Sequence, residues 1–196
     1  NLASIPLGVL VALALALSLR LNSGPAVRTL VTGLTNPRGL SMATNGDVYI
    51  AEVGTVATGG RLLKLRGSTQ VEVLSDGLPA YLHGGDELVG ASQAVECAGS
   101  LYLATGEGRE TRSSSLLRVL ADGSTTHVAD LENYVGRYVP DGQNSDSNPF
   151  ALLCDGPHGR LLVADAAANA VLSVTMDGAV SILAVWRDDP VPSGMA

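Results

Sequence analysis

Residues able to ligate a cation or hold a ligand recur at matching points of the chain. Asn36 and Asn148 each precede a proline and open an apolar run, Asn36-Pro37-Arg38-Gly39-Leu40 and Asn148-Pro149-Phe150-Ala151-Leu152, and Asp146 stands two residues before the second. Amide and carboxylate oxygens drawn to one point would suit Ca²⁺ or another hard divalent cation, giving Asn36, Asp146 and Asn148 as a ligand set. An asparagine before proline also caps turns by bonding nearby backbone, and that reading stands beside the first. Asp141, Asn144 and Asp146 crowd one polar loop, without the fixed spacing of a known calcium loop. Glu52, Thr105 and Asp165 end three further matching runs, where short polar side chains bond backbone and secure the next turn. The three histidines, His83, His127 and His158, show neither H-x-x-x-H nor H-E-x-x-H spacing, so no local zinc motif exists. His83, in Tyr81-Leu82-His83-Gly84-Gly85-Asp86-Glu87, is the candidate general base, weighed against an ordinary solvated loop histidine. No G-x-S-x-G elbow supports a triad with Ser92 and Asp86.

The elements that position these residues repeat. A run leading through Gly46-Asp47 into Val48-Tyr49-Ile50-Ala51-Glu52 returns at Gly99-Ser100 into Leu101-Tyr102-Leu103-Ala104-Thr105, and again at Gly159-Arg160 into Leu161-Leu162-Val163-Ala164-Asp165. A third short apolar run, a turn and a fourth run follow each time, ending near Leu74, Ala129 and Ala184. Runs of β-branched and apolar residues punctuated by Gly, Asp and Asn predict strands, and no long helical period appears after the head. Four antiparallel strands per repeat, in the same order each time, predict the blades of a β-propeller. The region 27–196 is thus expected to be a partial all-β propeller with blades at about 36–90, 91–147 and 148–196, preceded by a short strand at 27–34. Propellers close with roughly 4 to 8 blades, so the expectation is a chain truncated at both ends.

The innermost strand of each blade lines the channel, and the loops at strand starts form one face where ligands sit. Asn36, Arg38, Gln93 and Asn148 occupy those starts and form the expected binding set. Cys97 and Cys154 fall at equivalent positions of adjacent repeats. A disulfide is open to them, but neighbouring innermost strands share no ladder and a bridge needs Cα atoms within roughly 7 Å, so two buried thiols are expected. Gly106-Glu107-Gly108 and Gly59-Gly60 precede no helix, which argues against a phosphate cradle. Tyr102, Phe150 and Trp186 are expected to pack between blades.

The unit built from P-x-G/A, a Gly turn, an apolar-Tyr-apolar-Ala-acid run and a later Asn-x-apolar-apolar-x-Val resembles the NHL repeat, which implies a six-bladed ring. A more specific resemblance covers about Leu30 to Val185. His127-Val128-Ala129-Asp130-Leu131-Glu132-Asn133-Tyr134, Pro140-Asp141-Gly142, Asp146-Ser147-Asn148-Pro149-Phe150, Val163-Ala164-Asp165-Ala166 with Asn169, and Gly178 to Val185 together look like the ScyD/ScyE family. That resemblance implies a secreted propeller whose activity is poorly defined, with pigment biosynthesis as the setting of some members. Gly90-Ala91-Ser92-Gln93 departs from the G-P-S-D expected there, which removes the acid of that position. Propellers of the gluconolactonase type place Glu, Asn and Asp around an axial divalent cation, and this resemblance gives the alternative of a metal-dependent hydrolase or oxidative enzyme. A cell-surface interaction scaffold is the third reading.

Composition narrows the partners. The 196 residues are 46% hydrophobic and 16% charged with a net charge of −7, and no Lys/Arg run builds a stripe for nucleic acid or an anionic membrane. A small molecule or an extracellular protein remains as the expected partner. Leu7 to Leu19 is uncharged and apolar, the length of a secretory core and short of the roughly 20 residues of a spanning helix. Residues 1–26 are therefore expected to be a signal peptide, or a retained apolar anchor, and the protein extracellular or periplasmic.

Overall fold

Short apolar runs broken by Gly, Asn and Asp become antiparallel strands because each run is long enough for one sheet crossing and too short for a stable helix. A computed structural model describes residues 27–67, 69–108, 111–138 and 146–195. The chain divides into the units Asn1–Thr32 and Gly33–Ala196. The expected signal segment 1–26, and Asp141 and Asn144 of the polar loop, lie outside the described residues.

Three sheets follow one another in the larger unit. The first is β1 (Pro37–Met42), β2 (Val48–Thr55), β3 (Gly59–Arg66) and β4 (Gln70–Leu78), in that order. The second is β5 (Ala80–His83), β6 (Glu87–Cys97), β7 (Ser100–Thr105), β8 (Ser115–Val119) and β9 (Thr125–Asp130). The third is β10 (Pro149–Asp155), β11 (Arg160–Asp165), β12 (Ala170–Thr175) and β13 (Val180–Val185). Four antiparallel strands, repeated in sequence order and stacked face to face, are the blades of a β-propeller. Tight turns close the hairpins. Gly123 and Gly178 hold φ of 83° and 91° at equivalent turns, a backbone region that other L residues enter only at a cost.

The core lies between blades. Tyr49, Ala51 and Leu62 of the first blade meet Ala94, Leu103 and Leu117 of the second, while Leu116, Ala129 and Tyr102 on the second blade's other face meet Leu161, Val163 and Leu172 of the third. Period-2 alternation puts Leu116 and Leu117 on opposite faces of β8, and both are fully buried because a blade between two others has no solvent face.

Three features differ from the sequence expectation. Residues 27–34 form no strand: Gly33 and Asn36 turn the chain at φ of 74° and 50°, and the Thr35 N–H goes to the Glu52 carboxylate rather than to a ladder. The connection between the first two blades contains a hairpin, in which Ala80–His83 pair with Gly90–Glu87 at the extended start of β6. The connection from the second to the third contains a helix, α1 (Leu131–Tyr138), anchored by fully buried Leu131 and Val135. Two helical turns supply too few residues for a 3.6 period to emerge from the sequence.

Candidate functional site

Each blade is closed near its strand start by the same backbone bond. Val53, Gly106 and Ala166 donate their N–H to the carbonyls of Asn36, Gly90 and Asn148. The residues that end the second strands lock these corners. Buried Glu52 accepts from Thr35 N–H at 2.7 Å and pairs with Arg61 at 2.6 Å. Thr105 donates to the Arg112 carbonyl, and Asp165 accepts from Asn148 N–H at 2.8 Å, Ala168 N–H at 3.1 Å and the Ser147 hydroxyl. Burial pushes the Asp165 carboxyl above the ordinary aspartate range, against the pull of those three donors. The corners hold the starts of the innermost strands β1, β6 and β10 around one mouth.

Those strands share no ladder, so side chains join them. The Gln93 amide donates to Leu40 O on β1 at 3.0 Å and accepts from Leu152 N–H on β10 at 2.7 Å, which ties three blades through one residue. Ser41 donates to Ala94 O, and Ser92 donates to Pro149 O. Gly39 permits this approach, since a Cβ there would lie 2.2 Å from Ser92 O. At the far end of the same seam Cys97 and Cys154 form a disulfide with a Cα separation of 5.3 Å. This corrects the expectation of two free thiols: strands need no ladder to converge, and the side-chain seam already brings β6 and β10 within bridging distance.

At the mouth the three blades present different chemistry to one another. The Arg38 guanidinium, from β1, donates to Leu88 O at 2.8 Å, stands 3.5 Å from Glu87 and lies 5.5 Å from the centre of the Phe150 ring on β10. The β5–β6 hairpin carries His83 to 3.4 Å from Glu107, whose side chain is 18% exposed. Burial raises the Glu107 carboxyl above its ordinary range; His83 opposes this, while Asp146, Glu132 and Glu87 add to it by repulsion. Asn148 Oδ1 accepts the Glu107 N–H at 3.3 Å, so β10 and the β7–β8 loop meet at this point.

The structure thus brings Arg38, His83, Asp146 and Asn148 to one region, with Gln93 below them in the wall. Asn36 sits apart, its side-chain amide on Gly54 O at 2.8 Å. Asn36 and Asn148 both bond backbone, and among the described residues no three His, Cys, Asp or Glu side chains stand close enough to share a metal ion. Glu87, Glu107 and Phe150 are the mouth residues that sequence reasoning left out. Phe150 is half-buried under Arg38, and Tyr102 is buried between blades as expected, whereas Trp186 is 40% exposed at the edge of the third blade. His158 is exposed and bonded to Asp155 at 2.7 Å.

Fold and site together define a β-propeller with a polar, acid-rich channel mouth. No family model matches the chain, and no curated protein matches it. Among solved structures it is similar to a catalytically inactive variant of virginiamycin B lyase from Staphylococcus aureus, solved with quinupristin, with 17% identity and a TM-score of 0.48. The alignment covers 84% of this chain and 45% of that one, so the chain spans less than half the length of that protein.

Proposed function

We propose that the protein is a secreted NHL-type propeller, similar to the ScyD/ScyE family, that binds a small organic molecule carrying a basic nitrogen at its channel mouth. One observation carries this reading: Arg38, Glu87 and Phe150, from three successive blades, form a single contact chain over the channel wall. Among the described residues the carboxyls of Glu87, Glu107, Asp146 and Glu132 gather around that point, and burial, with crowding by the other three acids added to it, raises the Glu107 carboxyl above its ordinary range. A bound ammonium would relieve that crowding, and the Phe150 ring supplies an apolar contact for the rest of the molecule. Export is supported by the disulfide, which persists in oxidising compartments. Among the described residues no helix is long and apolar enough to cross a membrane. The NHL resemblance supports a six-bladed ring.

Calorimetric titration tests the proposal with tyramine as cationic probe and benzoate as its anionic counterpart. Tyramine is expected to bind, with affinity falling about tenfold in Glu107→Gln, and benzoate is expected not to bind. Preference for benzoate, or tyramine binding indifferent to Glu107→Gln and Phe150→Ala, would overturn it.

A further inference from the structure

The helix α1 builds a second cleft on the outer side of the second blade, whose near end adjoins the mouth through Gly108 and Glu132. The helix interrupts the β order between the second and third blades and is fixed to the interblade core by Leu131 and Val135. Its start is fully used internally: Asp130 accepts the Asn133 N–H at 2.9 Å, and Ser114 O accepts the N–H of Leu131 and Glu132. The side chains facing outward are not so employed. Two adjoining cavities, of about 660 and 300 Å³, flank the helix and share His127, Asp130 and Asn133. Both volumes are of the size that small-molecule sites show.

The lining has a consistent chemistry. Tyr134 and Tyr138, one helical turn apart, lie with ring centres 4.9 Å apart and planes tilted by 40°; Tyr134 is partly buried against the interblade core and Tyr138 is 58% exposed. Such a step of aromatic faces is costly to leave in water and offers its electron-rich side to C–H groups. His127, Asn133 and Arg137 stand around it, exposed, and among the described residues their side chains make no hydrogen bond or ion pair. Asp130 and Arg137 balance in charge, so the cleft favours neither a strong anion nor a strong cation. A neutral ligand with an apolar C–H face and a rim of hydroxyls satisfies both halves of this lining at once. Pyranose rings have that construction, with axial C–H groups on one face and hydroxyls at the edge.

We infer that the cleft formed by α1 and β9 is a saccharide-binding site, with Tyr134 and Tyr138 as the stacking platform and Asn133, His127 and Arg137 as hydroxyl partners. Its proposed ligand differs from the one proposed at the channel mouth, and Tyr134 and Tyr138 are not mouth residues.

Cellotetraose, maltotetraose and tetra-N-acetylchitotetraose test this by saturation-transfer NMR followed by calorimetric titration. At least one of the three is expected to bind, with saturation transfer strongest at ring C–H protons. Tyr138→Ala is expected to weaken that binding about tenfold while leaving the melting temperature unchanged, because the side chain is exposed. Asn133→Ala, at an exposed position, provides a second variant should Tyr138→Ala fold poorly. Absence of binding by all three sugars at about 10 mM would overturn the inference. So would binding that neither substitution weakens.

Discussion

Removing the Cys97–Cys154 bridge by the double substitution Cys97→Ala/Cys154→Ala tests how the innermost strands are held. The bridge spans a sequence separation of 57 residues, from the end of β6 to the end of β10, and so encloses the remainder of the second blade and α1. Releasing a loop of that size gives the unfolded chain about 4 kcal/mol of conformational freedom in the chain-entropy model. The native state has other ties across the same seam, from Ser92 to Pro149 O and from Gln93 to Leu152 N–H. The variant is therefore expected to fold with the same strand pairing and to lose stability of about 3–4 kcal/mol, somewhat under the loop-entropy figure. In a chain of this size that corresponds to a melting temperature lower by about 8–15 °C. Urea unfolding with and without reductant measures it, and alkylation of the unfolded, unreduced protein should label no thiol. A loss below about 1 kcal/mol would refute the reasoning, as would two labelled thiols in protein purified under oxidising conditions.

Other consequences are equally concrete. Gly39→Ala sets a Cβ 2.2 Å from Ser92 O, so it should cost about 2–3 kcal/mol by forcing β1 from β6, more than Gly46→Ala, whose Cβ would meet nothing within 4 Å and bears only the strain of its φ; paired urea midpoints decide. Glu52→Ala leaves Thr35 N–H and Arg61 without their partner at a buried position and should lower stability by about 3 kcal/mol, read from the same curves. Because the Glu107 carboxyl is raised above the ordinary glutamate value of 4.5, the native state keeps its proton where the unfolded chain has lost it. Stability attributable to Glu107 should then fall as pH rises from the ordinary value through the raised one. The difference between wild type and Glu107→Gln, measured across that interval, should shrink or reverse accordingly.

Repetition makes the blades legible in the sequence. Three copies of one strand pattern fix strand order and register by mutual agreement, and Gly46, Gly123 and Gly178 mark turns whose backbone demands glycine. What does not repeat was not legible. The β5–β6 hairpin and α1 each occur in a single blade connection, and each is shorter than the window in which periodicity declares itself. The candidate site was half legible for the same reason. Arg38, His83, Asp146 and Asn148 stand at recognisable positions or in polar loops, but Glu107 lies in a glycine-flanked loop that reads as linker, and Phe150 reads as core. Their role depends on three blades meeting at one mouth, a distance relation that no local spacing encodes. The disulfide carries the same lesson, since the convergence of β6 and β10 is a property of how two neighbouring blades pack rather than of either strand.

Phe150 is the sole phenylalanine of the chain and lies beneath Arg38 at the proposed binding mouth. Labelling with 4-fluorophenylalanine therefore places a single ¹⁹F signal at the site. Titration with tyramine should shift that signal in a saturable manner in wild type, and the shift should require much higher tyramine in Glu107→Gln. A signal that stays fixed while tyramine saturates the protein, or that moves identically with benzoate, would contradict a cation-selective mouth built from three blades.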